Sequence, residues 1–196
     1  MSIKLLKKAS IILLTLNFIA CSIFTPAVPT PSKADIEKEE QAIYSFFVSG
    51  SNGTAVIMLE TSTNISGQAP REIREHIKSS FKDISNETVE SYLARNAQPS
   101  QLSSDMNLGM DYVFLSADEL SKISSQLNWG ELLAGKYPNS HGYTIFSRIG
   151  FNNSLDQAVI YVGNVEGPMM GSGFYYLMEK ENGEWVIKEQ VMVWIS

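Results

Sequence analysis

The chain has 196 residues, 15 basic against 21 acidic side chains, one cysteine and two histidines. The acidic balance argues against nucleic acid, whose phosphates call for clustered Lys and Arg, and against electrostatic docking to anionic lipid. A single cysteine allows no disulfide framework within the chain and no cysteine-rich metal site.

Lys4, Lys7 and Lys8 form a positive start, and Ile11 to Ala20 (IILLTLNFIA) is an apolar run of about ten residues, too short for a spanning helix. Cys21 follows directly. This layout resembles a bacterial lipoprotein signal, in which the cysteine is diacylated, carries the lipid anchor and becomes the first mature residue. Phe18 stands where such a signal usually carries Leu. An ordinary secretory peptide cut within Ala20 to Ala27 and an uncleaved anchor are the other two readings. Removal of residues 1–20 leaves 176 residues with 12 basic and 21 acidic side chains, a net −9 and enough chain for one domain. The expected organisation is therefore a signal over 1–20, a Pro-rich tether over 21–34 and one domain over 35–196.

Ser32 and Asp35 make a capping pair for a first helix whose apolar stripe is Ile36, Ile43, Tyr44 and Phe47. Gly50 ends it, SNG at 51–53 turns the chain, and Thr54 to Thr61 reads as a buried strand. Pro70 opens a second helix with the stripe Ile73, Ile77, Phe81 and Ile84. Asn86 is the expected cap of a third, with Val89 and Leu93 inward. A polar loop over 98–109 leads to a short strand at Asp111 to Leu115. Ser116 and Glu119 frame a capping box for a further helix, and Trp129 to Leu133 adds a turn.

From Tyr143 the apolar period changes from 3.6 to 2. Strands are expected at 143–149, 157–163, 173–180 and 184–195, with a type I′ turn at Asn182-Gly183 joining the last two. The fold class is α+β: N-terminal helices packed on one face of a curved antiparallel sheet that ends in a long C-terminal hairpin.

The mature part carries no catalytic motif and implies no cofactor. His76 lies on a helix in REIREHIKSS and His141 in a turn, with no second histidine at ligand spacing, so no metal site is expected. Gly171-Ser172-Gly173 precedes a strand, which is not the context of a nucleophile elbow. The run GNVEGPMMGSG (163–173) precedes no helix and so lacks the basis of a phosphate cradle. It reads as an apolar hairpin connection in which Met169 and Met170 form a contact surface or cover the sheet end. By strand parity Trp185, Ile187, Val191, Val193 and Ile195 share one face with Glu189. Glu189 is then a candidate pocket carboxylate, with Arg148 as its anion-binding partner; the alternative is a bulge that returns Glu189 to solvent.

Ser147-Arg148-Ile149-Gly150-Phe151-Asn152, Asp156 to Val162, Gly171 to Leu177, Asn182 to Val186 and Val193 to Ser196 resemble segments of a group of bacterial secreted or lipid-anchored proteins of uncharacterised activity. A more distant likeness is to the cone-shaped NTF2-like fold. The first resemblance implies an envelope location. The second implies a fold that hosts both enzymes and binding modules. The functions left open are a lipid-anchored module that binds a protein or small molecule, an enzyme with a pocket carboxylate, and an assembly factor using the methionine loop.

Overall fold

The computed structural model describes residues 30–49, 56–63 and 68–196. The expected signal over 1–20, Cys21, most of the expected tether, Gly50 and the turn expected at 51–53 lie outside the described residues. Among those described, no helix is long and apolar enough to cross a membrane.

Among the described residues five helices and seven strands follow in the order α1 (Lys33–Ser49), β1 (Val56–Leu59), α2 (Pro70–Ser80), α3 (Asn86–Arg95), β2 (Tyr112–Leu115), α4 (Ala117–Ser124), α5 (Trp129–Lys136), β3 (Tyr143–Phe146), β4 (Gly150–Phe151), β5 (Gln157–Gly167), β6 (Met170–Glu181) and β7 (Glu184–Ile195). The α+β class expected from the sequence is the one observed. Ser32 caps α1 as its spacing requires: its Oγ accepts from Asp35 N, and Asp35 Oδ2 accepts from Ser32 N. Ser85, one residue before the expected Asn86, caps α3 by accepting from Thr88 N at 3.0 Å. Buried Gln157 explains the shift. It accepts from Ser85 N and Thr88 Oγ1 and donates to the Asp83 carbonyl, tying the start of α3 to the start of β5. Ser116 caps α4, but Glu119 does not close the box; its carboxylate accepts from Lys136 and Tyr137 instead.

The sheet order is β2-β1-β3-β5-β6-β7, with β4 pairing with β5 beside β3. The strands β3 to β7 form the expected antiparallel part. The other end is parallel, β1 pairing with both β2 and β3, so the sheet is mixed. A chain that leaves β1 through two helices can return beside it in parallel, which strand patterning alone does not reveal. Asn182 and Gly183 have φ of 53° and 88°, the type I′ turn that closes the β6–β7 hairpin.

Helices cover both faces. On one, α1 contributes Ile43, Tyr44 and Val48 to a core with Phe146, Ile149, Ala158, Ile160, Val162, Met178 and Trp185. On the other, α2 and α3 set Ile77, Phe81, Val89 and Tyr92 against Val159, Tyr161, Tyr175 and Leu177, while α4 and α5 cover Ile57 and Leu115 with Trp129 and Leu133. This is why β5 is buried continuously from Gln157 to Gly163 instead of alternating.

Two bulges in β7 break the expected parity. Met178 pairs with Ile187 but Leu177 pairs with Glu189, and Phe174 pairs with Met192 but Gly173 with Trp194. Each bulge inserts one residue and exchanges the faces. Trp185 and Ile187 therefore face α1, whereas Glu189, Val191 and Trp194 follow Leu177, Tyr175 and Gly173 onto the α2–α3 side. The glycines at 163, 171 and 173 are strand residues, not a loop. A Cβ on Gly173 would lie 2.2 Å from Trp194 Nε1, so glycine is what lets the indole cross the strand and donate to Tyr161 OH at 2.6 Å.

Candidate functional site

The charged centre of the molecule forms where α1, the end of α3 and the break between β3 and β4 meet. The break spans Ser147 to Ile149. Ser147 N still donates to Tyr161 O, and Ser147 Oγ accepts from Tyr161 N. Asn96, just past α3, clamps the break by accepting from Arg148 N and donating to Arg148 O, both at 2.8 Å. Arg148 is thereby aimed toward α1.

There it meets Glu40. Arg148 Nε donates to Glu40 Oε1 at 2.8 Å and Nη2 to Oε2 at 2.6 Å, a fork-to-fork pair. Arg95 Nη2 lies 2.7 Å from Glu40 Oε1. That contact is an ion pair whose angle departs from a linear hydrogen bond, and Arg95 Nε is buried with no hydrogen-bond partner among the described residues. Coulomb attraction between the two groups does not need a linear bond. Glu40 is 5% exposed. Burial pushes its carboxyl upward, but hydrogen bonds from Arg148 and the charges of Arg95 and Arg148 outweigh this and hold it below the ordinary carboxylate range. Tyr44, donating from its hydroxyl to Ser147 O beside this pair, is pushed far above its usual range by burial and by the Glu40 charge.

Arg148 also forms one wall of an open cleft of about 570 Å³ between α1 and the 101–106 segment. Glu37, Gln41 and Tyr44 line the helix side; Ser103, Ser104, Asp105 and Met106 line the other. The loop is held in place by Tyr112 OH, which donates to the carbonyls of Ser104 and Met106, and by Gln41 Nε2, which donates to Asn107 O. Arg148 Nη1 makes one long contact, 3.3 Å to Ser100 Oγ, and retains donor capacity toward the cleft.

Of the residues singled out from the sequence, Arg148 borders this cleft. Glu189 does not: it sits half-buried on β7 opposite Leu177, on the other side of the sheet, and the two are not brought together. His76 is exposed on α2, its ring 5.8 Å from that of Tyr175, and His141 is exposed beside Gly142. Among the described residues no group of three or more His, Cys, Asp or Glu is placed to hold a metal ion. Cys21 lies outside the described residues.

Glu40 and Arg95 were missed by the sequence reading. Glu40 sits in the acidic run EKEEQ, which looks like a solvated helix face. Yet it is four residues after Ile36 and four before Tyr44, so it falls on the apolar stripe itself. A carboxylate inside a helix's apolar stripe is the signal that points to a buried partner. No family model, no curated protein and no solved structure matches this chain.

Proposed function

We propose that this chain is a lipid-anchored cell-envelope module that binds a small polar ligand in the α1–loop cleft without transforming it. The observation that carries the reading is the pairing of that cleft with a buried carboxylate already neutralised by two guanidinium groups. Glu40 is held ionised by two guanidinium groups, which suits it to fix Arg148 in place. It is poorly suited to give or take a proton near neutral pH, where a general acid or base needs a pKa close to the working pH. The cleft offers a guanidinium donor on one side and the Glu37 and Asp105 carboxylates at its mouth. It therefore fits a ligand carrying both an acceptor and a donor, such as an amino acid, a short peptide or a sugar.

A thermal-shift screen of amino acids, dipeptides and simple sugars is expected to raise the unfolding temperature with at least one class. Met106→Trp, which fills the cleft from the loop side, should abolish that shift; Met106 also packs against the α1-side core, so the variant's own unliganded unfolding temperature is the reference for its shift. A screen in which no class stabilises the protein, or in which Met106→Trp binds as well as wild type, removes the cleft as a binding site.

The anchor is tested separately. Cys21→Ser should move the protein from the membrane fraction to the soluble one or leave it as an uncleaved precursor. Acyl burial contributes about 0.8 kcal/mol per CH₂, and the acidic domain offers no substitute attraction to anionic lipid. Intact mass of the native protein reads the same point; a mature mass without acyl chains, with Cys21→Ser still sedimenting with membranes, rules the anchor out.

A further inference from the structure

The pole of the sheet at the C-terminal end of β5 carries most of the strongly exposed apolar side chains among the described residues. Met169 is 81% exposed, Met170 59%, Ile195 71% and Leu127 101%. The fold brings them to one end. Gly167 to Met170 is the turn between β5 and β6. Ser196 exchanges backbone hydrogen bonds with Gly171, which places Ile195 beside that turn. Gly130, in the first turn of α5, lies so close to Glu166 that a Cβ there would sit 3.6 Å from the Glu166 carbonyl oxygen, which places the α4–α5 turn and Leu127 at the same end.

The charges at this pole have one sign. The segments 126–133, 140–143, 164–172 and 192–196 contain Glu131 and Glu166, both exposed, and no lysine or arginine. We propose that this pole is a docking surface for a protein segment whose apolar side chains are flanked by lysine or arginine. Apolar surface supplies the area, and flexible methionine side chains adapt to the shape of the partner. The two glutamates select the charge and steer the encounter. The same glutamates oppose the other occupants. They repel an anionic membrane surface, and a symmetric contact with a second copy would bring like charges together.

The position fits a partner on the far side from the tether. Thr30 and Pro31 line one pocket with Asn152, Asn153 and Leu155, at the other end of β5. Eleven strand residues separate the two ends, roughly 35 Å at 3.3 Å per residue. The direction in which the pole faces rests on the lipid-anchor reading; the docking surface itself does not, and it is independent of the cleft.

The test uses the full chain and an amphipathic leucine/lysine peptide of about eighteen residues, five helical turns. Its leucine/glutamate counterpart is the control. Met169→Ser/Met170→Ser changes no charge and alters two side chains that are already in solvent, so the fold should be kept; thermal unfolding checks this, and Leu127→Ser is the second variant. The lysine peptide should bind wild type, the glutamate peptide should not, and the double variant should lose about tenfold in affinity, the scale set by burying apolar side chains. Equal binding by wild type and both variants would mean the attraction is only the net charge of the domain and would overturn the proposal. So would binding to phosphatidylglycerol vesicles in place of the peptide, or self-association in sedimentation that the double variant abolishes.

Discussion

Glu40→Gln is expected to destabilise the domain by about 3 kcal/mol, toward the lower end of what breaking a buried ion pair costs. The substitution keeps size and shape but leaves Arg95 and Arg148 as two cations without their shared anion. The lower end applies because each guanidinium keeps some water, with side-chain exposures of 23% and 26% against 7% for Glu40. Replacing the group together, as Glu40→Leu with Arg95→Met and Arg148→Met, should cost less than Glu40→Gln alone, since no uncompensated charge remains. Urea unfolding at neutral pH measures both. A Glu40→Gln midpoint within error of wild type would mean that the ion pairs contribute nothing.

The same centre sets a pH dependence. The folded Glu40 carboxyl is depressed below its ordinary value of 4.5. A depressed carboxylate contributes stability that is fully present above the unfolded value and is lost as pH falls through the folded one. The groups facing it are the Arg95 and Arg148 guanidiniums and the Tyr44 hydroxyl. Wild type should therefore lose stability as pH drops below about 4.5, and Glu40→Gln should show a shallower loss. Asp35, Glu90 and Glu119 are also depressed, by Ser32, Arg74 and Lys136 respectively, and leave some slope in the variant. Identical slopes in the two proteins would remove Glu40 as a source of the acid sensitivity.

How much of this was legible depends on the range of the cause. Caps at Ser32 and Ser116, the start at Pro70 and the turn at Asn182-Gly183 are decided by neighbours within a few residues, and the spacing showed them. The shift of the α3 cap to Ser85 is not visible in the local sequence because its cause, Gln157, lies 72 residues further along the chain. The parallel pairing of β1 was hidden for the same reason. In β7 the alternation of residue types reads as a strand; of the two alternatives for Glu189 the structure has the bulge, and its one inserted residue moves the later side chains to the other face. Glu189 was carried to the wrong side by that step. Arg148 entered only as a partner for Glu189, on strand parity; its actual partner, Glu40, is concealed within a run of charges.

Trp185→Ala is expected to cost about 3–5 kcal/mol, the range for a large aromatic removed from a core. Trp185 lies before the first bulge, so its face is set by the turn alone, and it is 7% exposed. Its ring packs against Phe151 with centroids 5.9 Å apart, and Lys180 Nζ sits 5.0 Å above it. Its Nε1 donates to Glu39 Oε2 at 2.7 Å, while Glu39 Oε1 meets Lys180 Nζ at 2.7 Å. One indole thus joins the hairpin to α1, one residue along the helix from Glu40. Trp185→Phe should recover most of the loss, because it keeps the ring and gives up one hydrogen bond of about 1–2 kcal/mol to a carboxylate that Lys180 still neutralises. Ile187→Ala on the same face should cost far less than Trp185→Ala, since Ile187 is 39% exposed beyond the cover of α1. Urea midpoints order the three. If Ile187→Ala costs as much as Trp185→Ala, or Trp185→Ala leaves the midpoint unmoved, then the hairpin is not seated on α1 through this residue, and the placement of the bulge after Ile187 fails with it.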